Sequence, residues 1–326
     1  MIVTIARESG IPLVGHLAFG IVVRGSSNLI QVRPTTVCNL SCPFCSTDGG
    51  PSSKTHGTHY VVDLDYLVEE IEKIVKQRGK THVNIDSVGE PTAYPYIMEL
   101  VRRVKQIPGV FFISMQTNGT LLDEKKVQQL EEAGLGRMNL SLHAVSKGLG
   151  EKLAGAGFYD VKKVMDLARL VSRTKIDLLL APVFLPGVND EEIKEIIKFA
   201  KELGCKIGIQ KYEEYRYSRK MHEVKRENFF RFYKRLKEWE KEFGIKLVYS
   251  AKDLEVGRAE KLREVLRRGE RLNVKVLESG WMKDQMIAAE RGRCITITKC
   301  DAKKGDRVNV RVTETKNNIY LAEQVK

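Results

Sequence analysis

Apolar and polar positions along the chain follow two alternating periods, one of strands and one of helices. Residues 29–34 (Leu-Ile-Gln-Val-Arg-Pro) read as a strand entering a cysteine-bearing loop. From Asp63 to Arg78, Leu64, Leu67, Val68, Ile71 and Val75 recur at helical spacing. Strands are expected at Thr81–Ser87, Val110–Met115, Arg137–Leu142, Ile176–Val183 and Lys206–Gln210. Helices are expected between them, over Tyr94–Gln106, from Asp123 to Ala133, over Tyr159–Val171, and from Asn189 or Asp190 to Leu203. Six strand–helix units in succession predict an α/β fold, a parallel sheet with helices outside it. The periodicity fits a doubly wound sheet and a partial β/α barrel equally.

From Arg216 to Phe243 the chain is basic, aromatic and helical in pattern, and most of its aromatics are expected to face a core. Leu247–Ser250 reads as a further strand, and the stretch to Arg271 as a polar helical segment or linker. After Leu272 the texture changes to short alternating runs at Asn273–Leu277, Cys294–Thr298, Arg307–Val312 and Asn318–Ala322, punctuated by Gly280, Gly292 and Gly305. This predicts a small antiparallel β-barrel. The expected organisation is therefore a core over 1–250, a connecting segment over 251–271 and a barrel over 272–326.

Composition adds little until charge is divided along the chain. An apolar fraction of 42% over 326 residues is ample for a packed core, and no apolar run reaches the ~18 residues of a membrane span. The nearest candidate, Ile11–Val23, lacks a basic flank, so a cytoplasmic protein without a membrane partner is expected. Residues 1–204 hold 24 Lys and Arg against 23 Asp and Glu, whereas residues 205–326 hold 31 against 19. An excess concentrated in the last third points to a polyanion, most simply nucleic acid, or to a solubilising basic face.

Three of the six cysteines stand together as Cys38-Asn-Leu-Ser-Cys42-Pro-Phe-Cys45, directly after a strand. Clustered cysteines in a long chain of this kind more often bind metal than form disulfides. Three thiolates can hold three irons of a 4Fe–4S cubane and leave the fourth iron open to a small molecule. A zinc ion completed by His56 or His59 is the other reading of the triplet. Cys294 and Cys300 read as barrel-strand cysteines and not as ligands.

The cysteine loop, with Phe44 before its last cysteine, resembles the signature of the radical S-adenosylmethionine (radical SAM) superfamily. The resemblance, over roughly residues 29–250, implies a partial (β/α)6 TIM-like barrel, a 4Fe–4S cluster at Cys38, Cys42 and Cys45, and S-adenosylmethionine chelated by the open iron. It also implies reductive cleavage to a 5′-deoxyadenosyl radical, which abstracts a hydrogen atom from the substrate, and an electron donor such as a ferredoxin or flavodoxin. Landmarks follow successive strands. Val88-Gly89-Glu90-Pro91 resembles the family's Gly-Gly-Glu turn with Val88 in first place, Gln116-Thr117-Asn118-Gly119 and Pro186-Gly187-Val188-Asn189-Asp190 resemble turns common in the family, and Ser141 and His143 end the fourth strand. The resemblance implies cofactor contacts at Gly89, Glu90, Asn118, Ser141 and His143.

Residues 272–326 resemble the TRAM domain, a small RNA-binding β-barrel, through Val274–Leu277, Gly292-Arg293 and the run Gly305–Val312. This implies an RNA partner, most simply tRNA, with phosphate contacts at Arg291, Arg293, Lys299, Lys303, Lys304, Arg307, Arg311 and Lys316. The pairing of such a barrel with a radical SAM core resembles the tRNA methylthiotransferases, but no cysteine precedes Cys38 where those enzymes carry three more. An RNA-modifying radical enzyme is the reading expected; a radical enzyme that matures a protein or peptide, with the barrel as docking module, is its rival.

Overall fold

A computed structural model describes residues 1–325. Strands run over Ile2–Ile5 (β1), Gly20–Val23 (β2), Leu29–Arg33 (β3), His59–Val62 (β4), Thr81–Ile85 (β5), Val110–Thr117 (β6), Arg137–Leu140 (β7) and Asp177–Leu180 (β8). They continue over Val183–Phe184 (β9), Lys206–Ile207 (β10), Gln210–Lys211 (β11), Arg271–Ser279 (β12), Gln285–Glu290 (β13), Arg293–Thr298 (β14), Arg307–Glu314 (β15) and Tyr320–Gln324 (β16). Helices are Leu64–Arg78 (α1), Ile97–Gln106 (α2), Glu124–Glu132 (α3), Lys147–Ala154 (α4), Val161–Val171 (α5), Asp190–Leu203 (α6) and Phe229–Phe243 (α7). The chain forms two compact units, one of Met1–Val37, Lys54–Phe112 and Val256–Lys326, the other of Cys38–Ser53 and Ile113–Glu255.

In the first unit β3 pairs in parallel with β5, Val32 opposite Ile85, and β2 lies antiparallel to β3. β1 and β4 form a separate parallel pair, Ile2 opposite His59. The start of α1 is fixed by Asp63, whose carboxylate accepts from the Tyr66 amide at 2.9 Å. The same unit holds a closed five-stranded barrel in the order β12-β13-β14-β16-β15. Its interior is filled by Val274, Val276, Ile295, Ile297, Val310 and Tyr320. Strand β15 alternates as expected, with Val308, Val310 and Val312 inside and Arg307, Asn309 and Arg311 outside.

The barrel is not antiparallel throughout. β14 and β16 run parallel, Ile295 opposite Tyr320, because β16 inserts between β14 and β15. The strand Gln285–Glu290 escapes the sequence pattern because Ala288 and Ala289 give it no marked alternation. Nor is the segment before the barrel a free helical linker. Arg78 donates to the carbonyls of Glu260 and Ser27, the Gly257 amide donates to Asn28 at 2.7 Å, and Leu262 and Leu266 are buried.

The second unit carries β6, β7, β8 and β10, each parallel to its neighbour, with Ser114 opposite Arg137 and Leu179 opposite Lys206. With β3 and β5, all six strands expected to run in parallel are present. Asp123 caps α3 by accepting from the Lys126 amide at 2.8 Å. The expected strand at Leu247–Ser250 does not form: the Leu247 and Val248 amides donate to the Glu240 carboxylate instead of to a neighbouring strand. Residues 216–228 are not helical either, and α7 starts at Phe229 under an Asn228 cap. Among its aromatics Phe232 and Trp239 are buried and Phe243 is half-buried, whereas Phe229, Phe230 and Tyr233 are exposed. Among the described residues no helix is long and apolar enough to cross a membrane.

Candidate active site

The cysteine loop is built by backbone contacts that leave little room for side chains. The Ser41 amide donates to the carbonyl of Ala154 at 3.0 Å, at the end of α4. Gly155, at φ +60°, follows so closely that a Cβ there would stand 2.1 Å from the Ser41 carbonyl oxygen, so only glycine fits. The Cys45 amide donates to Cys42 O at 3.1 Å. The Cys45 Sγ accepts from the Gly49 amide at 3.2 Å and lies 3.3 Å from the Thr47 hydroxyl.

One side chain that the sequence pattern did not mark closes the loop. Arg219 donates from Nη1 to Cys42 O at 3.0 Å, from Nη2 to Gly49 O at 2.7 Å and from Nε to the buried Asp48 carboxylate at 2.8 Å, while its amide donates to Cys45 O at 2.9 Å. Burial pushes the Cys42 thiol up to about 12, and the nearby Cys45 and Cys38 add to the shift while Arg219 opposes it. A Cys42 thiol raised by two neighbouring cysteines, beside a fixed guanidinium, suits a positively charged centre that takes it as a thiolate. Among the described residues no three His, Cys, Asp or Glu side chains converge tightly enough to hold a single ion. Of the histidines considered for zinc, His56 packs on the Trp281 ring at 4.5 Å and meets the His59 ring edge-on at 5.9 Å.

Asn118 meets this loop through a polar triangle. Its Nδ2 donates to Asn39 Oδ1 at 3.0 Å, Asn39 Nδ2 donates to the Thr120 hydroxyl at 2.8 Å, and that hydroxyl donates back to Asn118 Oδ1 at 2.7 Å. The turn after β6 is thereby tied to the residue after Cys38. Asn39 and Thr120 carry no recognisable motif, and their role emerges only from the fold.

Gly89 and Glu90 pack on the backbone just before Cys38. A Cβ on Gly89 would lie 2.3 Å from Val37 O, and the Glu90 amide donates to that oxygen at 2.8 Å. The Glu90 side chain is buried and accepts from the Thr92 amide and hydroxyl at 3.0 and 2.6 Å, so it also caps its own turn. The departure at Val88 is accommodated by burial of the side chain.

Ser141 receives a hydrogen bond from Gln116 Nε2 at 3.1 Å. Gln116 also lines a cavity of about 280 Å³ with Asn139, Leu179, Gln210, Phe232 and Tyr249. The Asn139 Oδ1 is buried there without a hydrogen-bond partner. His143 is buried with its Nδ1 accepting from the Val183 amide at 3.1 Å, and its ring meets Phe44 edge-on at 4.8 Å. Burial lowers its pKa to about 4, so it is a neutral imidazole with its proton on Nε2. Asn189, expected to cap α6, instead holds strand ends together: its amide donates to His143 O and Val183 O, both at 3.0 Å.

The family model described as the radical SAM superfamily matches residues 32–200, more than half of the chain and including all three clustered cysteines. The chain belongs to the radical SAM superfamily. Radical SAM proteins bind a 4Fe–4S cluster and S-adenosylmethionine. An uncharacterised protein of Methanocaldococcus jannaschii is 37% identical, over 99% of this chain and 81% of its own length. A probable GTP 3′,8-cyclase of Pyrococcus horikoshii is 30% identical over 71% of this chain and 69% of the cyclase. The crystal structure of Streptococcus suis SuiB bound to S-adenosylmethionine matches with a TM-score of 0.51 at 20% identity, over 77% of this chain and 51% of SuiB, which is a likeness of fold.

The eight basic residues expected at phosphates lie on the barrel in different states. Arg291, Lys299 and Lys304 are ion-paired with Glu270, Glu323 and Glu278 at 2.7, 3.4 and 2.7 Å. Arg293 donates to the carbonyl of Gly292 at 3.1 Å. Lys303 and Lys316 are exposed. Arg307 and Arg311 stand on the outer face of β15, where Arg307 Nε donates to Asn273 Oδ1 at 2.7 Å. Cys294 is fully buried within β14, and burial raises its thiol, as it does that of half-buried Cys300.

Proposed function

We propose that this radical SAM protein is an RNA-modifying enzyme acting on tRNA, with Arg271–Gln324 as a TRAM-like RNA-binding barrel. One observation carries the reading. On the outer face of β12 and β15, Arg271 stands opposite Arg311 and Lys275 opposite Arg307, around a central Asn273–Asn309 hydrogen bond of 2.8 Å. These six outward positions include no carboxylate. Like charges directly opposite each other destabilise a strand pair, and a bound phosphate backbone would relieve that repulsion. Arg271 and Lys275 thus join Arg307 and Arg311 as phosphate contacts, whereas the ion-paired Arg291, Lys299 and Lys304 contribute less.

In this reading Cys38, Cys42 and Cys45 hold the cluster, and Gly89, Glu90, Asn118, Ser141 and His143 surround S-adenosylmethionine at the open ends of a partial (β/α)6 barrel. The bound cofactors supply a one-electron cleavage, fed by a ferredoxin or flavodoxin, that ends in hydrogen-atom abstraction. Arg219 keeps the cysteine loop in shape, and Gln116 links the cofactor side at Ser141 to the polar cavity at Asn139. By role, residues 1–250 are the radical core, 251–271 the connection and 272–326 the RNA-binding part.

Mass spectrometry of tRNA nucleosides from a deletion strain tests the reading. A modified nucleoside should vanish and return with the wild-type gene but not with Cys42→Ala; an unchanged nucleoside profile sinks it. The likeness to a GTP 3′,8-cyclase favours a second reading, in which a free purine nucleotide is the substrate. Turnover of GTP by the reduced enzyme without RNA would decide for that one.

A further inference from the structure

Helix α7 exposes what a soluble helix ordinarily buries. Phe229, Phe230 and Tyr233 are 56, 78 and 46% accessible, while the same helix buries Phe232, Leu236 and Trp239 on its other side. The exposed rings are ordered as a surface: Phe229 and Tyr233 stack at 6.2 Å with planes 25° apart, and Lys211 Nζ sits 4.9 Å over the Phe229 ring. Phe230, Lys234, Lys237 and Lys241 follow at helical spacing along one stripe and line a groove with Phe229, Tyr233 and the carboxylate of Glu238, three cations against one anion. A rise of 1.5 Å per residue spreads the three lysines over about 10 Å.

Among the described residues some helix lysines are ion-paired and others, such as Lys76, Lys105 and Lys163, are not. Lys73, Lys162, Lys194 and Lys198 each pair with a carboxylate three or four positions away. Lys234, Lys237 and Lys241 make no ion pair among the described residues, although Glu238 and Glu242 stand on the same helix. Flat accessible rings bordered by unneutralised cations fit a ligand with alternating planar and anionic groups. A protein partner of apolar surface would leave the lysines desolvated and unmatched.

We propose that this face of α7 binds single-stranded RNA, bases stacking on Phe230 and on the Phe229–Tyr233 pair and phosphates lying along Lys234, Lys237 and Lys241. The inference rests on the RNA reading above and adds a second contact surface, in the unit that also holds the cysteine loop. It explains how a loop or unpaired end of a folded RNA is gripped, which a phosphate-binding barrel alone does not do.

Fluorescence anisotropy of the full-length protein with a labelled single-stranded oligoribonucleotide and with its duplex tests it. Phe230→Ala and Tyr233→Ala should each weaken single-strand binding by roughly 5- to 150-fold, the range for one stacked base, and change duplex binding little. Lys237→Ala with Lys241→Ala should lower the log–log salt slope by about 0.7 per lost contact. Because these side chains are exposed, the melting temperature should stay that of the parent, which keeps loss of fold apart from loss of binding. If the parent binds both RNAs and the variants bind the single strand equally well, the face is idle and only this inference falls. If the parent binds no RNA at low salt, the RNA reading falls and this inference with it. A parent that sediments as a dimer and becomes monomeric with Phe230→Ala assigns the face to a second copy and overturns the proposal.

Discussion

Arg219 Nη1 lies 3.0 Å from the carbonyl oxygen of Cys42, so a guanidinium is fastened to the backbone of the cysteine loop. The same fork reaches Gly49 O and Asp48, which makes it a clamp on the loop and a positive charge beside the thiols. Replacing Arg219 by Ala should cut the iron loaded on anaerobic reconstitution to half or less. Lys, which keeps the charge but not the planar fork, should give an intermediate value. Full loading of Arg219→Ala, read by iron assay and the visible spectrum, would remove Arg219 from the site.

Ala at any one of Cys38, Cys42 or Cys45 should take the reconstituted protein from about four irons to nearly none and abolish cleavage of S-adenosylmethionine. The double change Cys294→Ala with Cys300→Ala should keep both, because one thiol is sealed in a barrel strand and the other packs against the barrel core. A colourless protein with one tight zinc would contradict the assignment.

Glu90 has two separable roles. Its Oε1 caps the turn through Thr92, a function that Gln can keep. Glu90→Gln should therefore melt like the parent yet bind S-adenosylmethionine more weakly, while Glu90→Ala should also lose about 1 kcal/mol of stability. Equal binding by parent and Gln variant would leave Glu90 as a turn cap alone.

On the barrel, Ala at Arg307 or Arg311 should weaken RNA binding without regard to sequence and reduce the salt slope by about 0.7–0.9 each. Arg271→Ala should do the same and leave the free protein as stable as before or slightly more so, since it removes the repulsion with Arg311. Titrations at several salt concentrations, with melting curves alongside, check both halves. An unchanged slope in all three variants would make the face a solvated surface.

His16 is buried, accepts from the Ala18 amide at Nδ1 and has its pKa lowered to about 3 by burial, with Arg33 adding to the effect. The unfolded chain takes up this proton near pH 6.5 and the folded one only near 3. Its contribution to stability is therefore complete above pH 6.5 and is lost progressively as the pH falls toward 3, on the order of 5 kcal/mol over the whole window. Denaturant midpoints should drop across that window in the parent and fall less steeply in His16→Gln. A parallel pH dependence in the two proteins would refute the assignment.

Much of the fold is legible in the sequence. The six parallel strands, the Asp123 cap and the valine side of β15 follow from periodicity, because each is a local pattern set by what must be buried, whereas β1, β2, β4 and β13 are not marked and the strand expected at Leu247–Ser250 does not form. The cysteine spacing announced the chemistry. What stayed hidden depends on distant contacts. Arg219 sits among other basic residues, and only the fold brings it to Cys42, 177 positions earlier. Asn39 and Thr120 are ordinary polar residues until they meet. The exposure of Phe229, Phe230 and Tyr233 runs against the general preference for burying aromatics, which is why composition alone pointed to a core. The parallel β14–β16 pair was equally unreadable, since strand alternation carries no information about direction.

The first unit is stitched together across great sequence distance. The Cys294 amide donates to Val14 O at 2.8 Å, the Tyr320 amide donates to Gly15 O at 3.0 Å, and a Cβ on Gly15 would run into the backbone of Cys294. Tyr60 reaches Ser279 O at 2.6 Å. Each of these contacts closes a loop of more than two hundred residues, so the ends of the unit must find each other only after most of the intervening polypeptide has been synthesised. The entropic cost grows slowly with loop length, but the search grows with contact order, and folding of this unit should be slow. A ribosome-bound chain shortened before the barrel would lack the Ser279, Cys294 and Tyr320 contacts to Tyr60, Val14 and Gly15, in the interval when aggregation is most easily nucleated.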